Sequence, residues 1–258
     1  MPLLSETWHT TTTLDELGIA TLTLQNAKKL NIVGTQAILE MTGALDTLRT
    51  RGDVRVLVLR GIGDTAFIGG ADIYEMSALT PPSAEAFITR LKNLCEAVRS
   101  FPAPVIARLS GFTLGAGLEV AAACDLRVSS QNGVYGMPEV AVGIPSVIHA
   151  VLLPMLIGKA RATWLLMTGE SIDAATALQW GLLHESCAPE ALDARVAALA
   201  SRLAGFGTAA LRQLKQLMRS WETQAPDAAI DATVAEFGKA FATGEPQRYM
   251  EAFKNRKR

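Results

Sequence analysis

Strand-like and helix-like segments interleave up to about residue 145, and after Lys159 every periodic segment is helical. Residues 18–24 alternate apolar and polar, as a half-buried strand does. Residues 35–49 place Ile38, Met41, Leu45 and Leu48 at helical spacing. Residues 54–59 form a continuous β-branched and leucine run, the pattern of a strand buried on both faces. A helix is expected over 83–98 with Ser83 as its N-cap, then a break at 101–104 and a short apolar strand at 105–109. A glycine-rich turn at 111–117 opens an alanine-rich helix from about 115 to 124, and short strands follow at 126–129 and 134–135. Helices are expected at 161–167, 173–180, 189–204, 209–221 and 228–241. The pattern predicts one α/β body carrying a helical tail that serves as a lid or an oligomer surface.

Composition narrows the function classes. Hydrophobic residues make up 49% of the 258 and charged residues 19%, enough to bury a large core and too apolar for a disordered chain. Lys and Arg total 24 against 25 Asp and Glu, a net charge of −1 that excludes a chain built around nucleic-acid phosphates. Cys95, Cys124 and Cys187 fit neither a CxxC redox pair nor a zinc site. His9, His149 and His184 form no HExxH pair, so no metal site is expected. The odd, sparse cysteines and the lack of a signal-like start point to the cytoplasm. Residues 140–157 form the longest apolar stretch, but Gly143, Pro145, His149 and Pro154 make it a buried loop and helix, and no membrane span is expected.

Gly61-Ile62-Gly63-Asp64-Thr65-Ala66 follows a predicted strand and matches a dinucleotide fingerprint. That fingerprint needs a helix directly afterwards, and Phe67-Ile68-Gly69-Gly70 is a poor helix start. A second arrangement explains more. Gly69-Gly70-Ala71-Asp72-Ile73 forms one flexible turn, and Gly111 to Gly117 forms another that opens a helix. Free N–H groups at such turns attract negative charge. One from each turn would clamp a single carbonyl oxygen as an oxyanion hole. Glu119 lies one turn into the apolar helix, where a carboxylate is costly to bury alone. Glu139 stands in the turn Gly136-Met137-Pro138-Glu139. Two carboxylates beside an oxyanion hole suit proton exchange at carbon next to a thioester carbonyl. The plainer readings are a helix glutamate satisfied by an arginine, a surface-turn glutamate and ordinary tight turns.

Several motifs, in order, resemble the crotonase (enoyl-CoA hydratase/isomerase) superfamily. They are Phe67-x-x-Gly-Ala-Asp-Ile73, Pro104-Val-Ile-Ala107, Gly111-x-x-x-Gly-x-Gly-x-Glu119, Cys124-Asp-Leu-Arg127 and Pro138-Glu-x-x-x-Gly-Ile-Pro145. Leu166-x-Thr-Gly-Glu-x-Ile-x-Ala174, Gly181-Leu182 and Phe253-Lys-Asn-Arg-Lys257 extend the likeness over nearly the whole chain. The resemblance implies a spiral of ββα units over residues 1–195 and a helical region over 196–258 that builds trimers, often paired into hexamers, or acts as a lid. It implies that Ala71 and Ala116 supply the oxyanion N–H groups, although alanine replaces the family glycine at 116. It implies that Glu119 and Glu139 hold one water for addition across a 2,3-double bond, with no cofactor beyond the coenzyme A of the substrate.

Lys28, Lys29, Gly69, Gly70, Asp72, Ile73 and Gly115 fall where the family holds coenzyme A and substrate. Lys28 and Lys29 also fit a solvated turn, and the basic end at Lys254, Arg256, Lys257 and Arg258 fits a solvated tail. Tyr74, Pro145, Ile148 and His149 are candidates for the acyl pocket, and Trp164 is a further one. Typical relatives continue after Pro145 with several glycines and a Gln-Arg pair. This chain instead reads Ser146-Val147-Ile148-His149-Ala150-Val151-Leu152, which implies a narrowed or reshaped acyl wall. His149 also reads as a hydrogen-bonded structural residue. The expected activity is enoyl-CoA hydration, since two glutamates exceed what an isomerase requires. Isomerase, hydrolase, decarboxylase and lyase chemistry on the same fold, and an RNA- or protein-binding oligomer, are the alternatives.

Overall fold

Three times in succession the chain lays a strand in one sheet, a shorter strand in a second sheet, and then turns away from both. The computed structural model describes residues 2–256; Lys257 and Arg258 of the expected basic tail lie outside them. β1 (Leu3–Glu6), β2 (Thr10–Leu14) and β3 (Ile19–Leu24) form an antiparallel meander, and α1 (Thr35–Arg49) follows. The first double layer is β4 (Val56–Gly61) and β5 (Ala66–Ile68), followed by α2 (Ile73–Met76) and α3 (Pro81–Arg99). The second is β6 (Val105–Leu109) and β7 (Phe112–Leu114), followed by α4 (Ala116–Ala123). The third is β8 (Leu126–Ser130) and β9 (Val134–Gly136), followed by two 3-10 turns, Pro138–Val142 and Ile148–Leu152.

Then come α5 (Leu153–Ile157), α6 (Lys159–Thr168), β10 (Ser171–Asp173), α7 (Ala174–Trp180) and β11 (Glu185–Cys187). The chain closes with α8 (Leu192–Ala204), α9 (Thr208–Trp221), α10 (Pro226–Ala242) and α11 (Glu245–Arg256). The long sheet runs β1-β2-β3-β4-β6-β8-β11 and the short one β10-β9-β7-β5. This alternation between sheets is the expected spiral of ββα units.

The apolar run at β4 is explained by its two faces. Leu57 and Leu59 enter the main core with α1 and α3, whereas Val56 and Val58 join Ile106 and Val128 under Leu192, Val196 and Ala200 of α8. The 195/196 division expected from sequence therefore falls inside a helix whose two sides of that point pack on one sheet face. The dinucleotide-like turn after β4 leads into β5, so the helix that such a fingerprint needs is absent there. Helix α3 begins earlier than expected. Thr80 is its N-cap, and its N–H donates to Ser83 Oγ at 2.8 Å, so Ser83 is the third helical residue and not the cap. β1, β2, β5, β7, β10, β11, α2 and α11 were not anticipated; most are too short to show a period.

Helix α4 is buried along its whole length. Its approach to β5 is set by Gly117, where a Cβ would lie 2.0 Å from the Ile68 carbonyl oxygen. Its C-terminal carbonyls are orphaned by the end of the helix, and the buried Arg127 guanidinium donates to those of Ala121 and Cys124 and to Leu182. Lys215 of α9 donates to Asp125 at 2.6 Å and to the Ala103 carbonyl at 3.2 Å, fastening the tail to the same end. Gly117→Ala is expected to lower stability by about 2 kcal/mol or more through overpacking against β5. Urea denaturation checks this, and an unchanged midpoint would refute the close contact.

Candidate active site

β7 reaches α4 through Gly115, which adopts φ +51° and ψ −119° and donates its N–H to the Gly136 carbonyl of the β9 end at 2.9 Å. A Cβ at Gly115 would stand 2.8 Å from Glu139 Oε1. The space a side chain would take is thus the space of the Glu139 carboxyl. Glu119 lies one helical turn further, its N–H bonded to the Gly115 carbonyl at 3.0 Å, and it is 4% exposed. The two sequence-predicted glutamates are therefore brought to one place by a single glycine turn. Glu139, half-buried in the turn Pro138–Val142, accepts from Ser146 Oγ at 2.9 Å. Glu119 Oε1 accepts from the Ala150 N–H at 3.0 Å, and the His149 N–H faces the same carboxyl. Burial pushes the Glu119 carboxyl up to about 8; the two N–H groups oppose the rise and the Glu139 charge adds to it.

β5 and β7 are parallel neighbours, with Ile68 opposite Thr113. Three residues beyond that pair stand Ala71, past the end of β5, and Ala116, at the start of α4. Ala71 bridges to Val33: the Val33 N–H donates to Gly70 and the Asp72 N–H to Val33, each at 3.0 Å. That pairing leaves the Ala71 N–H with no hydrogen bond among the described residues. Ala116 opens α4, where an N–H has no acceptor within the helix. Ala116 keeps a negative φ, and Gly115 before it takes the left-handed turn, so the alanine at this position is unstrained.

The sequence and the fold match known proteins over most of the chain. The sequence profile of the enoyl-CoA hydratase/isomerase family matches residues 15–258. Crotonyl-CoA hydratase of Syntrophomonas wolfei is 32% identical over 236 residues, 91% of each chain. Enoyl-CoA hydratase of Mycobacterium smegmatis superposes with a TM-score of 0.85 at 30% identity, covering 92% of this chain and 90% of that one. That of Bacillus anthracis superposes with a TM-score of 0.93 over 96% of both chains, at 24% identity, a likeness of fold.

The chain belongs to the enoyl-CoA hydratase/isomerase family.

In this family member the remaining predicted residues divide into two groups. Lys28 Nζ contacts Asp72 Oδ2 at 2.6 Å and lies 5.3 Å from the centre of the Tyr74 ring. Asp72 caps α2 by accepting the Tyr74 N–H at 3.1 Å, and its bond from Lys28 holds its carboxyl below the usual range. Gly69 donates to the Leu30 carbonyl at 2.8 Å, tying this turn to the loop that carries Lys28. Ile73 and Tyr74 face solvent, Tyr74 at 84% exposure, and Lys29 is exposed with no ion pair among the described residues. These residues form a rim on the turn that begins at Ala71.

Beyond Pro145, which is exposed, Ile148 packs against the main core and its neighbour His149 turns its imidazole to Glu96 of α3, 3.7 Å away. Ser146 and Ala150 were not anticipated as partners of the glutamates. A serine seven residues from a glutamate and a backbone donor on an apolar turn leave no pattern in sequence.

Glu119 ionises near 4.5 when unfolded and near 8 when folded. A raised folded value means that stability is whole below about pH 4.5 and is lost as pH rises through 8. Glu119→Gln removes that loss. Denaturation at pH 5 and pH 8.5 should show the variant gaining on the order of 3 kcal/mol over the parent between the two conditions. Parallel pH profiles would contradict the burial argument.

Proposed function

We propose that the protein is an enoyl-CoA hydratase that adds water across the 2,3-double bond of an acyl-CoA thioester. The observation that carries this reading is the pair Glu119 and Glu139 meeting at Gly115, next to the Ala71 and Ala116 N–H groups. In the proposed reaction the thioester oxygen accepts from those two N–H groups, which stabilise the negative charge that develops on it. Glu139 takes a proton from a water whose oxygen bonds to C3. The electron pair of the double bond moves through C2 to the thioester oxygen. Glu119, whose protonated form burial favours, delivers its proton to C2 as the carbonyl re-forms. One hydroxyl and one hydrogen are added, and the two carboxyls re-exchange a proton through the next water. The reaction needs no cofactor beyond the coenzyme A of the substrate.

Lys28, Lys29, Gly69, Gly70, Asp72, Ile73 and Gly115 are the proposed contacts for coenzyme A and the thioester, with the rim lysines as point charges for phosphate. Tyr74, Pro145 and Ile148 are proposed for the acyl wall. The assembly is proposed as a homotrimer or a dimer of trimers, supported by an uncovered apolar stripe on α10 at Ile230, Val234 and Phe237. A cytoplasmic location is supported by the three free cysteines. Among the described residues no helix is long and apolar enough to cross a membrane.

The deciding assay offers a panel of 2-enoyl-CoA thioesters, from short to aromatic, with products identified by mass. The expected product is heavier by one water, and Glu119→Gln and Glu139→Gln should each slow it by about 10²–10⁴-fold without unfolding. Free coenzyme A or a shifted double bond, with no water gained, would replace hydration with another reaction on this fold.

A further inference from the structure

Ile148 adopts φ +42°, a conformation that costs a β-branched residue more than almost any other. Such a backbone persists only where its surroundings over-determine it. The next residue, His149, is 7% exposed and is wedged against α3. The residue after that donates its N–H to Glu119. We infer that His149 is a positioning residue for Glu119: buried against α3 beside Glu96, it holds the strained 148–150 backbone against α4 so that the N–H groups of residues 149 and 150 meet the carboxyl. The kinetic part of this inference rests on the hydratase reading; the structural part does not.

The surroundings support an anchor. Glu96 Oε2 lies 3.7 Å from His149 Nε2, while Glu96 Oε1 accepts from Arg219 of α9. Arg99, one turn along α3, pairs with Glu222 just beyond α9. Lys92, Glu96 and Arg99 are the charged groups of α3 facing the imidazole. Helix α5, which packs on the same turn, carries no titratable side chain. Glu119 itself faces Glu139 and the buried Cys95 thiol of α3. Burial holds the imidazole below its ordinary value against the pull of Glu96. Its Nδ1 is buried and makes no hydrogen bond among the described residues. The histidine thus fills space between its own turn and α3, next to Glu96. Arg219 of α9 holds Glu96, His149 packs beside it, and the turn that carries His149 ends at two N–H groups that favour the ionised form of Glu119.

The test measures the ionisation of Glu119 without substrate. The pH dependence of unfolding is compared between each protein and its partner carrying Glu119→Gln, for the parent, His149→Leu, His149→Gln and Glu96→Gln. His149→Leu and Glu96→Gln should each move the Glu119 midpoint upward by about one pH unit as the N–H donors drift away. His149→Gln, which still reaches Glu96, should leave it in place. With a 2-enoyl-CoA substrate, His149→Leu should lower kcat about tenfold while KM stays within about twofold, and the alkaline limb of kcat should move with the midpoint. An unchanged midpoint in both His149→Leu and Glu96→Gln overturns the inference and leaves His149 a packing residue. If His149→Leu does not fold, Glu96→Gln decides alone. If the parent hydrates no enoyl-CoA but the midpoint moves, the positioning role stands and the hydratase reading falls.

Discussion

Glu119 sits on a helix of alanine, leucine and valine in the interior of the protein, where its charged form is disfavoured. The surrounding structure offsets that cost in part. Two backbone N–H groups from the turn Ile148–Leu152 approach the carboxyl, and the opening at Gly115 leaves room for a second carboxyl beside it. The compensation is incomplete, so the group stays protonated at neutral pH. A fully neutralised glutamate, paired with arginine, would be more stable and would have no proton to move.

The spiral makes this arrangement possible. Each layer lays one strand in the long sheet and one in the short sheet, and the chain then leaves the short sheet at the same edge every time. Ala71 follows β5, Gly115 and Ala116 follow β7, and Glu139 follows β9, on three consecutive parallel neighbours. Ala71, Ala116 and Glu139, far apart in sequence, thereby share one edge. Close contact of α4 with β5 at Gly117 sets how near the first of these turns stands to the second.

The segment after Pro145 reads Ser146-Val147-Ile148-His149-Ala150, bulky where the resemblance implied glycines. Ile148, a β-branched residue, holds its backbone in the left-handed region at φ +42°. Strain of that kind is retained where neighbouring contacts enforce it. Here the contacts are the core packing of Ile148 and the seating of His149 between its own turn and α3. The His149 side chain, expected from sequence to be an acyl-wall candidate, is turned to α3.

By itself the sequence determined the family and the order of the longer elements, and it singled out the two glutamates that the structure brings together at Gly115. Long periodic segments such as 35–49 and the both-face burial of 56–59 follow from local pattern, and the motifs at 67–73, 111–119 and 138–145 survive as strings because turns and helix starts need particular residues at fixed spacing. Tertiary structure decided the rest. Three-residue strands such as β5, β7 and β10 exist through their partners, and Ser83 lost the cap of α3 to Thr80 because two prolines set the helix start three residues earlier. The partners of the glutamates, Ser146 Oγ and the Ala150 N–H, come from a turn whose sequence shows neither function. The state of Glu119 depends on desolvation, which is a property of everything packed around a residue and of no residue alone.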